Sequence, residues 1–183
     1  MNNALLIIDM QNDFMPGGSL EIPGGDTIIP YINSIHDNYN TVVFTKDWHP
    51  KDHCSFNTNK GVWPVHCVQN TPGAKLHKDL FRRSESTVIK KGKDSKFDSY
   101  SAFIDDGGSF TGLYALLMEK KIESIDVVGV AMEYCVKFTV LDGLNLGLKV
   151  RLFTRGCMGI DNINDTKAIF EMDKAGAHIV FGG

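Results

Sequence analysis

The stretch that decides the fold is IDVVGVAMEYCV, residues 125–136. The apolar, largely β-branched residues 125–130 predict a buried strand, and a helical pattern begins close to Cys135. In α/β sheets, ligands bind at the carboxyl ends of the strands, and the following helix directs its positive end there. This environment favours a thiolate, which is the reactive form of cysteine. The stretch therefore predicts an α/β enzyme with Cys135 as a nucleophile whose pKa is lowered.

Similar apolar runs alternate with helical patterns along the rest of the chain. The other predicted strands are 4–8, 41–45, 87–90, 150–154 and 178–180, and the predicted helices are 28–37, 112–121, 134–146 and 166–174. Near-continuous apolar strands that alternate with helices predict a mainly parallel, about six-stranded sheet in a three-layer α/β/α sandwich. Because no repeat or linker divides the chain, residues 1–183 are expected to form one domain.

Two charged residues follow predicted strands. Asp9 comes directly after residues 4–8, and Lys91 comes after residues 86–90. If these strand ends meet at the sheet edge that carries Cys135, they bring together a nucleophile, a proton shuttle and a cation. Lys90 and Lys93 are the alternatives for the cation. The other interpretation is that Asp9 and Lys91 end their strands in solvent.

Residues 46–83 have little regular pattern but contain two tryptophans, three prolines and four histidines. Loops of this length are usually functional or disordered, and this composition is not that of a disordered segment. We expect an ordered excursion over the catalytic edge of the sheet, with an irregular packing flap as the alternative.

The excursion contains candidate metal ligands. Asp47 and His49 are two residues apart, so their side chains lie on the same side of an extended segment. His66 and His53 are candidates to complete the set, and a carboxylate with imidazoles suits zinc, iron, cobalt or manganese. A structural zinc site with Cys54 and Cys67 is the alternative, but the spacing matches no Cys-x-x-Cys arrangement.

Bulk properties exclude several classes of protein. The net charge of −3 provides no basic surface for nucleic acid or an anionic membrane. No apolar run approaches membrane-spanning length, and no signal-peptide pattern follows Met1. Four cysteines are too few for a disulfide scaffold, so the expected location is the reducing cytoplasm. The absence of G-x-G-x-x-G and Walker motifs gives a nucleotide-binding function little support.

Several motifs occur in a characteristic order. They are IDMQNDF (8–14), PGGSL (16–20), TKDWHP (45–50), WPVHCV (63–68), TPGA (71–74), KG (91–92), YSAF (100–103), GVA (129–131) and YCV (134–136). With these motifs the chain resembles the isochorismatase-like cysteine hydrolases, and within them the nicotinamidases of the pyrazinamidase type. The resemblance spans nearly the whole chain.

The resemblance implies hydrolysis of nicotinamide to nicotinic acid and ammonia through a cysteine thioester, as in NAD salvage. It assigns the attack to Cys135, the proton transfers to Asp9 and the support of this pair to Lys91. The backbone N–H groups of Ala131 and Cys135 would form the oxyanion hole, next to a cis bond between Val130 and Ala131 that is typical of the family.

The resemblance also implies a metal and a pocket. One divalent ion, zinc or iron before manganese or cobalt, would be held by Asp47, His49 and His66, with His53 as a fourth ligand that varies within the family. Phe14, Trp63 and Tyr100 match the aromatic positions that hold the pyridine ring. The expected partner is a small molecule, nicotinamide and by analogy pyrazinamide, rather than nucleic acid or membrane. The oligomeric state, including a homo-oligomer, is left open.

Three points remain open from the sequence. Met132-Glu133 replaces the small hydroxyl residue and Asp that are common in the family, which leaves the pocket wall undecided. A same-fold hydrolase of isochorismate, carbamoyl or ureido substrates would share Asp9, Lys91 and Cys135 but would generally lack the metal loop. A non-catalytic flavodoxin-like binding module would explain only the alternation of strands and helices.

Overall fold

The computed structural model describes residues 2–182 and contains a six-stranded sheet. The strands are β1 (Asn3–Ile8), β2 (Thr41–Asp47), β3 (Thr87–Lys91), β4 (Ser124–Val130), β5 (Lys149–Met158) and β6 (His178–Val180). All neighbouring strands pair in parallel, in the order β3-β2-β1-β4-β5-β6. This confirms the predicted sheet. Because the strand order reverses between β1 and β4, these strands flank the point where such sheets bind ligands.

Helices flank the sheet. They are α1 (Ile29–His36), α2 (Leu113–Glu119), α3 (Lys137–Asn145) and α4 (Asn162–Lys174), with short 3₁₀ turns at Asn12–Phe14, Gly25–Ile28 and Asn57–Asn59. Every residue of β4 is buried, as is β1 from Ala4 to Ile8, as expected for strands covered on both faces. Among residues 2–182, no helix combines the length and the apolar character needed to cross a membrane.

The starts of two helices differ from the sequence prediction. α4 begins four residues early, at Asn162 rather than 166, because the Asp161 carboxylate accepts hydrogen bonds from the Ile163 and Asn164 N–H groups. α3 is preceded by one π-helical turn, Met132–Val136, which carries Cys135. Such turns widen the backbone and are frequent at functional sites.

The excursion between β2 and β3 is packed against the rest of the protein. His49, His53, Phe56, His66 and Cys67 are all buried. Isolated bridges tie Gln11 to Leu76 and His49 to Val68. The segment therefore places histidines over the carboxyl ends of the central strands.

Candidate active site

The ends of three strands bring Asp9, Lys91 and Cys135 together. Asp9 follows β1, Lys91 ends β3, and Cys135 lies in the π turn that follows β4. Lys91 Nζ lies 2.9 Å from Asp9 Oδ2 and 3.3 Å from Cys135 Sγ. All three side chains are buried. The cluster predicted from three separate strand ends is thus present in the fold.

Lys91 has two further partners. Its ammonium donates to Asp47 Oδ1 at 2.6 Å and to the Ser99 carbonyl at 2.8 Å. Burial alone would lower the pKa of Lys91, but Asp47 and Asp9 outweigh it and raise the pKa well above its ordinary value. Lys91 is therefore a permanent cation. It links Asp9, which lies beside the thiol, to Asp47 of the predicted metal site.

The predicted low pKa of Cys135 is wrong. Burial raises the pKa of this thiol well above its ordinary value; Lys91 opposes that rise, and the charges of Asp9 and Asp47 add to it. Burial also raises the pKa of Asp9, although Lys91 lowers it. The thiol is thus a protonated donor that interacts with Asp9. The sequence identified the nearby cation but not the burial of the thiol between two carboxylates.

Two polar residues that sequence reasoning missed orient these carboxylates. Thr45 Oγ1 donates to Asp9 Oδ1 at 2.7 Å. Gln11 holds the backbone of Asp47, since its Oε1 accepts from the Asp47 N–H at 2.7 Å and its Nε2 donates to the Asp47 carbonyl at 2.8 Å. Both residues lie within the quoted motifs, and that was the only signal for them.

Asp47, His49 and His66 form a buried group whose potential ligand atoms lie within 4.8 Å of one another. His49 Nδ1 lies 3.0 Å from the Gly92 carbonyl, and His66 Nδ1 lies 2.8 Å from the Pro64 carbonyl. As donors to these carbonyls, both rings keep the lone pair on Nε2 for a metal. A Cβ at Gly92 would collide with the His49 ring. The donor set fits a divalent ion of the zinc class.

His53 does not belong to this group, contrary to the expectation for a fourth ligand. Its Nδ1 accepts from the Ser55 N–H at 3.3 Å, and its Nε2 donates to the Phe97 carbonyl at 3.2 Å. Burial and the neighbouring His49 lower the pKa of His53 to about 4, so its ring is neutral. Because its single lone pair is already used, His53 supports His49 by ring contact, with 4.0 Å between centroids.

A pocket opens beside these groups. Phe14, Trp63 and Tyr100 line it, as predicted, and Trp63 Nε1 donates to the Tyr100 hydroxyl at 2.8 Å. Tyr134 and Ile160 also line the pocket and were not predicted. Tyr134 packs edge-on against Trp63, with 5.0 Å between ring centroids. The space has the aromatic lining of a small-molecule site, with polar groups at one end.

Reactive groups open onto the same pocket. Its lining includes Cys135, Ala131, His49 and His66. The peptide bond between Val130 and Ala131 is cis, as expected from the resemblance. Cys135 lies in the π turn, where the Tyr134 and Val136 N–H groups on either side of it both donate to the Ala131 carbonyl at 3.1 Å. The nucleophile, the cis-bonded Ala131 and the metal-type donors thus line one cavity.

Comparison with known proteins agrees with this geometry. The isochorismatase domain model matches residues 3–181. The chain belongs to the isochorismatase family. It is 42% identical to a nicotinamidase of Escherichia coli (strain K12), over 95% of this chain and 92% of that protein. This degree of similarity extends across nearly the whole domain.

Solved structures of the isochorismatase family share the fold. PnC1 from L. infantum in complex with nicotinate has a TM-score of 0.95 and 40% identity, covering 98% of this chain and 92% of that chain. The pyrazinamidase of Pyrococcus horikoshii in complex with zinc has a TM-score of 0.90 and 38% identity, covering all of both chains. The isochorismatase-like sheet predicted from the sequence is therefore confirmed.

The unusual Met132-Glu133 pair does not form the pocket wall directly. Neither residue is among the lining residues within the part of the chain that the structure describes. Met132 is buried in the core, and Glu133 Oε1 accepts a hydrogen bond from the Ile160 N–H at 2.9 Å. In this member of the isochorismatase family, the Glu133 side chain therefore acts on the pocket wall through the backbone of Ile160.

Proposed function

We propose that this chain is a nicotinamidase, which hydrolyses nicotinamide to nicotinic acid and ammonia. One observation carries the proposal. The Cys135 thiol, paired with Asp9, opens onto the same aromatic pocket as His49 and His66, whose Nδ1 atoms face backbone carbonyls and leave the Nε2 atoms on the side of Asp47. A pyridine carboxamide has two groups that suit such a pocket, an amide carbonyl for the thiol and a ring nitrogen for the metal site. The Escherichia coli nicotinamidase and the nicotinate-bound L. infantum protein support this assignment.

Asp9 and Cys135 carry the first half of the reaction. Asp9 accepts the thiol proton as Cys135 Sγ attacks the amide carbonyl, so the negative charge moves to the carbonyl oxygen. The N–H groups of Ala131 and Cys135 stabilise this oxyanion. Asp9 then returns the proton to the amide nitrogen, the C–N bond breaks, and ammonia leaves a thioester on Cys135.

Water completes the reaction. Asp9 removes a proton from a water molecule that attacks the thioester carbonyl, the C–S bond breaks, and nicotinic acid leaves as the thiol is reformed. Lys91 remains protonated throughout and stabilises the negative charge that moves between Asp9 and Cys135. Thr45 fixes the Asp9 carboxylate during both transfers.

Asp47, His49 and His66 would hold one divalent metal. When bound, this ion supplies a Lewis-acid site for the pyridine nitrogen, which selects and orients the ring. The zinc-bound Pyrococcus horikoshii relative favours zinc, with iron as the next choice. Phe14, Trp63 and Tyr100 enclose the faces of the ring. We further propose that residues 1–183 act as one domain in the cytoplasm and that pyrazinamide is a second substrate.

The test is direct. Zinc-loaded protein is incubated with nicotinamide, and ammonia and nicotinic acid are measured together. We expect the two products in equal amounts, because one C–N bond is hydrolysed in each turnover. Folded, zinc-loaded protein that releases no ammonia from nicotinamide would contradict the proposal and would favour a carbamoyl or ureido substrate for the same thiol.

A further inference from the structure

Two carboxylates lie behind the pocket wall and take no part in the chemistry described above. Glu133 is buried in the π turn, two residues before Cys135, and Asp165 is half-buried in the first turn of α4. Glu133 Oε2 and Asp165 Oδ1 are enclosed and have no hydrogen-bond partner among residues 2–182. A Cβ placed on Gly159 would collide with both oxygens, so they occupy the same small space. Two enclosed carboxylate oxygens this close cannot both carry a full charge without a large cost.

The other oxygen of each carboxylate holds the turn between β5 and α4. Glu133 Oε1 accepts from the Ile160 N–H at 2.9 Å, and Asp165 Oδ2 accepts from the Gly159 N–H at 3.2 Å. Two successive backbone N–H groups are thus bound by two neighbouring side chains. Because the Ile160 side chain lines the pocket, the pair connects one pocket wall to the turn that carries Cys135.

We propose that Glu133 and Asp165 share one proton and thereby clamp the Gly159–Ile160 turn, which makes them positioning residues for one wall of the substrate pocket. With the proton present, one carboxylic acid donates an O–H···O hydrogen bond to the other carboxylate. Without it, the two charges repel, the side chains separate, and the turn loses its fixed acceptors. The inference rests on the proposed function only for the identity of the substrate.

The surrounding charges favour a bound proton. Asp161, which caps α4, adds negative charge near Asp165. The positive charge of Lys167 helps to lower the pKa of Asp161. On the adjoining helices, Lys137 and Glu171 pair with each other at 3.0 Å. Burial raises the pKa of Asp165 to about 6; Glu133 and Asp161 contribute to this rise, and the Gly159 N–H opposes it. Since the pKa of this acid is higher in the folded than in the unfolded protein, its contribution to stability is lost as the pH rises towards about 6.

Glu133→Gln removes the titratable carboxyl group and keeps the size and shape of the side chain. The glutamine oxygen can still accept from the Ile160 N–H, and its NH₂ group can donate to Asp165 at every pH. KM and kcat for nicotinamide, and Tm, are measured for both proteins from about pH 4.5 to about pH 7.5. We expect the ratio of wild-type to variant KM to rise about three- to tenfold over this range, with a nearly constant kcat ratio. The wild-type Tm should fall by about 2–4 °C relative to that of the variant.

Two further variants make the comparison specific. Asp165→Asn should remove the same pH dependence from the other side of the pair. Asp161→Asn, which keeps the helix cap, should retain the pH dependence with its midpoint moved slightly to lower pH, because the Asp161 charge contributes to the raised pKa of Asp165. Flat KM ratios and flat Tm differences for Glu133→Gln would overturn the proposal. A Tm difference that changes with pH while the KM ratio stays flat would overturn the positioning role. If the wild-type protein does not hydrolyse nicotinamide, the proposed function fails, and the Tm comparison still decides whether a proton is shared.

Discussion

Replacing Cys135 with alanine should lower kcat for nicotinamide by at least about 10³-fold while leaving the fold intact. The reason is that no other thiol lines the pocket within the described residues, and without a nucleophile no thioester forms. Only one Sγ atom is removed from a side chain that already lies at the pocket surface, so the cost in stability should be small. The measurement is ammonia release per minute, together with Tm.

Cys157→Ala is the matched control for this loss. Cys157 is also buried, but it lies in β5 and its Sγ is 3.9 Å from the Val127 carbonyl, away from the pocket. We expect its kcat to stay within about twofold of the wild-type value. An equal loss in both variants, or near-normal ammonia release from folded Cys135→Ala protein, would rule out Cys135 as the nucleophile.

Removing the metal should lower the rate of nicotinamide hydrolysis nearly as much as Cys135→Ala does. Chelation, or the substitution His49→Ala, should lower kcat/KM for nicotinamide by at least about 100-fold, because even second-sphere partners of metal ligands are worth about 10–100-fold. Added zinc should restore the chelated wild-type enzyme but not His49→Ala. Metal content and ammonia release are measured on the same samples. Benzamide, which lacks the ring nitrogen, should remain a poor substrate with or without metal.

His53→Ala is the control for the ligand set. The His53 ring contacts the His49 ring, but its lone pair is used by the Ser55 N–H, so its loss should leave the metal content at about one ion per chain. Loss of the metal in His53→Ala, or full nicotinamide hydrolysis in metal-free wild-type protein, would refute the assignment of the metal site.

Most of the fold could be predicted from the sequence because the central strands are apolar along their whole length. β1 and β4 are buried on both faces, and such runs have few alternatives to a covered parallel strand. The end of β5 was missed, because Arg155 and Gly156 interrupt the apolar pattern while the strand continues to Met158. The π turn before α3 was missed because its residues fit an ordinary helical period equally well.

The candidate site was predictable to the extent that its groups are single, chemically distinctive side chains. Asp9, Lys91 and Cys135 could be placed by strand ends, and Asp47 and His49 by alternation. The Ser99 carbonyl that binds Lys91 has no signature, since every residue has a carbonyl. The pKa of Cys135 depends on burial and on distances to two carboxylates, and neither can be read from residue spacing.

The covalent role of Cys135 is the central claim, and trapping with hydroxylamine tests it most directly. Wild-type protein is given nicotinamide in the presence of hydroxylamine, and ammonia, nicotinic acid and nicotinohydroxamic acid are measured. A thioester on Cys135 can be attacked by hydroxylamine as well as by water. We predict that nicotinohydroxamic acid replaces part of the nicotinic acid while ammonia release is undiminished. Nicotinic acid as the sole acyl product, at hydroxylamine concentrations that cleave a free thioester, would contradict the covalent mechanism.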